Sequence, residues 1–245
     1  MSNLIMCRTS LAYREIIENI CFCVMLCLSM VLYSHAAHAE DCMPLQISLL
    51  PSVQLVSKEN TICGARLNLL WGENTSVTGI DAGLANVTGS LKGIEIGGLN
   101  WLSNSAKEES WGVQLAGINY VGDSSFSGVQ VGFLNGGSSK ASMAGIQAGV
   151  MNIWEGEING IQLGGINGGS NAKGLQIAVY NDARDITGLQ IGFFNGSEGT
   201  VHGMQIGLGN YCKSLSGVQI GLINFVTSRF PDKGLFASPF INVGF

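Results

Sequence analysis

From position 79 onward the chain is written in octets that alternate apolar and polar: glycine, apolar, glutamine, apolar, glycine, apolar, apolar, asparagine. Five consecutive copies, at 160–167, 174–181, 188–195, 203–210 and 217–224, make the pattern plain, and five more open at Gly79, Gly93, Gly112, Gly128 and Gly145. With the first glycine as position zero, position seven is asparagine in all ten copies: Asn86, Asn100, Asn119, Asn135, Asn152, Asn167, Asn181, Asn195, Asn210 and Asn224. Position two is glutamine in eight copies and Asp81 or Glu95 in the first two. Positions one and three are almost all Ile, Leu, Val or Met, so each octet has the period of two that marks a β-strand with one greasy face. Two or three glycines per fourteen residues exclude a helix, since each costs about 1 kcal/mol in a helix interior.

The distances between leading glycines, starting from a degenerate copy at Gly64, are 15, 14, 19, 16, 17, 15, 14, 14, 15 and 14 residues. Every insertion falls between an Asn and the next Gly, where turn-forming pairs such as Gly136-Gly137, Gly168-Gly169 and Asn181-Asp182 occur. A further apolar residue often stands two places before the leading glycine (Val77, Leu91, Phe126, Met143, Ile158, Ile186, Val201, Leu215), positioned to enter a shared core from a second, shorter strand.

Repetition at so short a period predicts an all-β repeat protein, a β-solenoid of about ten coils of 14–19 residues with capping strands at its ends. In that fold the Leu/Ile columns fill a narrow core, the asparagines stack as a hydrogen-bonded ladder at the bend, and the glutamines from Gln114 to Gln219 form a flat polar strip outside. Asp81 and Glu95 then face each other on the surface. The alternative is an up-and-down outer-membrane β-barrel with one strand per repeat. The loop lengths do not alternate short and long, and the apolar stretch of each octet spans only some 14–17 Å at about 3.3 Å per residue, short of the ~25 Å apolar band of a barrel. Against the solenoid stands the C-terminus, Pro239-Phe-Ile-Asn-Val-Gly-Phe245, which resembles the closing strand of outer-membrane barrels.

The flanking segments divide the chain further. Residues 1–39 read as a signal peptide: Arg8 and Arg14, an apolar run over 20–33, then Ala37-His38-Ala39 before Glu40. Residues 40–78 read as capping strands and the degenerate first repeat, 79–226 as the ten-copy array, and 227–245 as a C-terminal capping strand. Pro51 suits an edge or cap. Export places Cys42 and Cys63 in an oxidising compartment, where they can pair as a disulfide, with Cys212 left over.

Composition narrows the chemistry. Charged residues make up 12% of the 245, and the net charge is -5, which leaves no electrostatic footprint for nucleic acid. His202 is the only histidine after position 38 and has no nucleophile or acid at a motif spacing, so no catalytic residues are assigned. No Cys-x-x-Cys pair supports zinc and no strand–GxGxxG–helix cradles phosphate, so no metal or cofactor is expected. Trp101, Trp111, Tyr120 and Trp154 gather where the insertions are longest and form the candidate binding surface for a glycan or protein partner.

The octets Gly-Leu-Gln-Ile-Gly-Phe-Phe-Asn at 188–195 and Gly-Val-Gln-Ile-Gly-Leu-Ile-Asn at 217–224 resemble those of bacterial surface-repeat proteins with a reiterated Gly-Leu-Gln-Ile-Gly-Leu-Val-Asn, a family named from spirochaete proteins and found in other Gram-negative lineages. The resemblance covers about 64–225. It implies an exported protein of the cell surface or outer membrane, with a structural or adhesive role and no activity attached to the repeat, and it carries no functional residues. The barrel alternative implies a small outer-membrane protein, a pore in its simplest form.

Overall fold

The computed structural model describes residues 42–103, 108–227 and 236–245, so the signal-peptide reading of 1–39 lies outside the described residues. The elements are all strands: β1 (Cys42–Leu50), β2 (Val53–Gln54), β3 (Thr61–Leu102), β4 (Ser110–Val121), β5 (Ser125–Gly137), β6 (Ser142–Ile177), β7 (Tyr180–Ile191), β8 (Phe194–Ser197), β9 (Thr200–Ile206), β10 (Gly209–Cys212), β11 (Ser214–Val226) and β12 (Phe236–Gly244). Long strands such as β3 and β6 run through several octets. Neighbouring copies pair in parallel with like positions in register, as Gly112, Gln114 and Asn119 do with Gly128, Gln130 and Asn135. The fold is therefore a β-solenoid of eleven coils, the degenerate copy at Gly64 being the first. Parallel stacking rules out the barrel, whose consecutive strands must be antiparallel.

Two glycine columns make the coils thin. The ten leading glycines from Gly79 to Gly217 all have φ between +127° and +150°, a region that side chains rarely enter. A Cβ at any of them would overlap the carbonyl of the leading glycine one coil back. At position four, a Cβ on Gly149 would stand 2.8 Å from Asn135 Nδ2 and 3.2 Å from Asn152 Oδ1, so this glycine makes room for the asparagine column.

The sidedness of the octet is the reverse of the expected one. The Gln and Asn columns are fully buried, whereas the apolar residues at positions one, three, five and six lie half-buried or exposed on the outside. Leu84, Phe133 and Leu222 are 59%, 63% and 58% exposed. The expected outer Gln strip is thus an inner column, and the expected Leu/Ile core is an outer flank. The physical reason is mutual satisfaction. Burying an unbonded amide costs several kcal/mol, but stacked coils supply each amide with donors and acceptors from the next.

Each Gln Nε2 donates to the Gln Oε1 one coil back: Gln130 to Gln114 (2.7 Å), Gln147 to Gln130 (2.7 Å), Gln162 to Gln147 (2.9 Å), and so on to Gln219, whose Oε1 accepts from Asn242 on β12 (3.0 Å). Each Asn Nδ2 donates to the Asn Oδ1 one coil forward, as Asn135 does to Asn152 and Asn152 to Asn167, both at 2.8 Å. The second amide hydrogen goes to a position-three carbonyl of that next coil, for example Asn152 to Leu163 O (3.0 Å).

The apolar core lies in the other half of each coil. The residues two places before the leading glycine turn inward as anticipated and meet a column two places after the Asn, and together they form one buried cluster from Val56 to Ile158 and another from Ala172 to Val226. Trp154 fills this core between Gly137 and Gly169, which stand in its column without side chains, and it donates from Nε1 to Ala141 O (3.2 Å).

Both ends are capped. β1 stacks in parallel on β3 and turns at Pro51 into β2, and the Cys42–Cys63 disulfide joins β1 to the first coil. Gln46, at the end of the Gln column, closes on the backbone of Val56 with two bonds of 2.9 Å. At the other end β12 runs antiparallel along β11, and Ser238 O accepts from Asn224 (3.2 Å).

Candidate functional site

The outside of the solenoid divides lengthwise. Positions one, three, five and six carry no charged residue in any of the eleven coils, and eleven coils at about 4.8 Å make this apolar flank about 50 Å long. Among the described residues, the charged side chains outside the core sit on the connecting segments, over the apolar half of the core. Each half of a coil is thus amphipathic, and the two halves have opposite sense.

Aromatic residues mark the borders between the flanks. Trp101, Tyr120, Tyr211 and Phe225 occupy position eight, and Trp111 stands just before a leading glycine on the opposite border. Trp101 and Tyr120, in adjacent coils, pack edge to face with ring centroids 5.4 Å apart. Trp101, Trp111 and Tyr211 are between two-fifths and three-fifths exposed. Of the four residues expected to form one binding surface, Trp101 and Tyr120 share a border, Trp111 stands on the opposite one, and Trp154 is buried and offers no face to a partner.

A second feature was not singled out in the sequence. Near the C-terminal end an open notch of about 630 Å³ is lined by Tyr180, Phe194, Tyr211 and Phe225 together with Asp182 and Glu198. It exists because two outward columns lapse there: Gly209 is the only glycine at position six in any coil, and Gly196 stands at position eight between Asp182 and Tyr211. The Phe194 ring lies across Gly209, 3.1 Å from where a Cβ would stand, and Asp182 Oδ1 lies 2.8 Å from the corresponding point on Gly196. Neither carboxylate has an ion-pair partner among the described residues. Burial, then Glu198, raises the pKa of Asp182; burial, then Asp182 and Glu198, raises that of Tyr180. The two missing side chains were the available signal.

The Asp81–Glu95 pair expected on the surface is fully buried, because both residues occupy the inner Gln column. Arg66 precedes them there and donates to Asp81 from Nε (2.9 Å) and Nη2 (2.5 Å), and to Val87 O from Nη1 (3.0 Å). Asn68 adds a bond to Asp81 (3.0 Å) and starts the Asn ladder by donating to Asn86 (2.8 Å). Glu95 Oε2 accepts the last ladder hydrogen from Gln114 (2.6 Å). Burial first and the Asp81 carboxylate second push Glu95 well above the usual carboxylate range, which favours its neutral form. Arg66, Asp81 and Glu95 thus end the Gln column, the first two as a buried ion pair.

Cys212 is buried in the apolar core, and burial pushes its thiol up to about 12, which keeps it unreactive. His202 stands exposed on a coil surface. Among the described residues, no three His, Cys, Asp or Glu side chains gather to hold a metal. No protein-family model, curated protein or solved structure matches this chain.

Proposed function

We propose that the protein is an exported, non-catalytic structural module of the bacterial surface whose apolar flank seats it on the outer membrane. The carrying observation is the uncharged flank, continuous over eleven coils and bordered by Trp and Tyr. Soluble monomers rarely expose apolar patches beyond a few hundred Å², and larger ones mark protein or membrane contacts. Aromatic side chains with an apolar body and a polar tip collect where a bilayer meets water. A charged flank opposite an apolar one is the pattern of an element lying in that interface, as amphipathic helices do. The N-terminal pattern over 1–39 and the octets that resemble surface-repeat proteins agree with export.

Flotation with lipid vesicles tests the membrane contact. The purified chain is expected to float with the vesicles, and Leu163→Asp/Phe193→Asp/Leu222→Asp to stay behind while remaining folded. A wild-type chain that stays behind, or that hides the flank by forming a dimer, contradicts the reading. N-terminal sequencing after expression in a Gram-negative host tests export, with a mature chain starting at Glu40 as the expected product.

A further inference from the structure

We infer that the notch between Tyr180, Phe194, Tyr211 and Phe225 is a binding site for an organic ammonium group. Its walls combine four aromatic residues at positions six and eight with the aliphatic Leu208, Leu222 and Ile223, and its lining carries two carboxylates, Asp182 from β7 and Glu198 from the segment after β8. A cation held against aromatic faces gains from their quadrupoles, and the gain rises as water is excluded. The carboxylates add the matching charge, and among the described residues no cation forms an ion pair with either of them. Arg184, in the same column as Glu198, is engaged with Asp185 and Asn171, and Lys213, one coil on, forms no ion pair with Glu198.

The volume, about 630 Å³, takes a small ligand or headgroup. A metal ion would keep its water shell here, since among the described residues no three His, Cys, Asp or Glu side chains gather to replace it, and an anion would meet two carboxylates. An alkyl- or trimethylammonium uses both the rings and the charge. The glycines make the case sharper: at Gly209 and Gly196 any larger residue would fill the space, and Phe194 and Asp182 lie over these two backbones. The site is defined by its own walls and does not require that the apolar flank touch a membrane. A free amine and a lipid headgroup present the same group to it.

The test is calorimetric titration of the full chain, expressed with its native N-terminal segment, with tetramethylammonium and ethanolamine. In parallel, vesicles with phosphatidylethanolamine are compared with vesicles of phosphatidylglycerol alone. Saturable binding of a soluble ammonium is expected, weakened about tenfold by Asp182→Asn or by Tyr211→Ala and abolished by Gly209→Leu. Trp111→Ala, on the opposite border, should leave it unchanged, and all variants should keep the β-sheet circular dichroism of the parent. Binding confined to ethanolamine-headgroup vesicles, and lost in the same variants, supports the site with lipid as its source. Absence of binding in both arms, or binding that survives Gly209→Leu in a folded protein, overturns the assignment.

Discussion

Gln147 and Asn152 lie five residues apart in one coil and donate in opposite directions: Gln147 Nε2 to Gln130 Oε1, one coil toward the N-terminus at 2.7 Å, and Asn152 Nδ2 to Asn167 Oδ1, one coil toward the C-terminus at 2.8 Å. The same opposition holds in every coil that carries both residues. The solenoid axis therefore contains two amide chains of opposite polarity. Within each, aligned dipoles polarise one another and strengthen the bonds. Between them the dipoles cancel, so neither end accumulates charge. The Gln chain ends on acceptors at Glu95, and the Asn chain ends on a donor at Asn224, which gives its hydrogens to Ser238 O and Gly221 O.

A ladder broken in the middle should cost more than one shortened at its end. Asn152→Ala removes a donor from Asn167 and Leu163 O and an acceptor from Asn135. Each buried orphan costs about 1–3 kcal/mol, so a loss of roughly 3 kcal/mol or more is expected in urea unfolding. Asn224→Ala also takes an acceptor from Asn210, but its own donor bonds are long ones to the part-buried carbonyls of Ser238 and Gly221, so the loss should be smaller, about 1–2 kcal/mol. Equal losses at both sites would show that the asparagines act singly.

Glu95 gives the stability a predictable pH dependence. Its folded pKa is raised by burial and by Asp81, so the folded chain binds a proton that the unfolded chain releases above its ordinary pKa of about 4.3. The contribution is full below that value and is lost as pH rises toward the folded pKa. Glu95→Gln, which restores the column's usual residue, should stabilise the protein at pH 7–8 and do little at pH 4. Thermal melts across that range read the difference, and a gain of equal size at both ends would rule out the protonated acid.

Arg66 is the other half of that terminus. Removing one partner of a buried ion pair costs about 3–5 kcal/mol, while replacing the pair by well-packed uncharged residues is often neutral. Arg66→Ala should therefore destabilise strongly, and Arg66→Gln/Asp81→Gln should recover most of the loss by extending the amide column. Denaturant midpoints of the single and double variants check this, and a double variant no better than the single would contradict it.

How much of this was legible in the sequence varies by residue. The inward turn of Val77, Leu91 and Phe126 follows from their spacing, and the stacking of Asn86 to Asn224 follows from a residue type that never varies. The side of the octet that faces inward did not follow. Period-two alternation marks two faces, and placing the apolar one inside presumes that a polar face needs water. Gln and Asn recurring in register remove that need, because each amide meets its own kind one coil away. Two signs pointed that way. Arg66 and Asp81 occupy the same column one coil apart, as a buried ion pair requires, and Trp154 falls between Gly137 and Gly169 in its column, where only an inward ring needs such space. The notch could be read only from absent side chains, since Gly196 and Gly209 resemble every other glycine until their columns are known.

Hydrogen exchange of the side-chain amides, read by ¹⁵N NMR, tests most directly whether the amide columns form the core. The Nε2 hydrogens of Gln147 and Gln162 and the Nδ2 hydrogens of Asn152 and Asn167 should exchange orders of magnitude more slowly than those of a free amide, as slowly as the backbone of β6 around them. Exchange at the free rate would mean that these amides face water, that Leu163 and its neighbours form the core, and that the inside and outside of the octet have been exchanged.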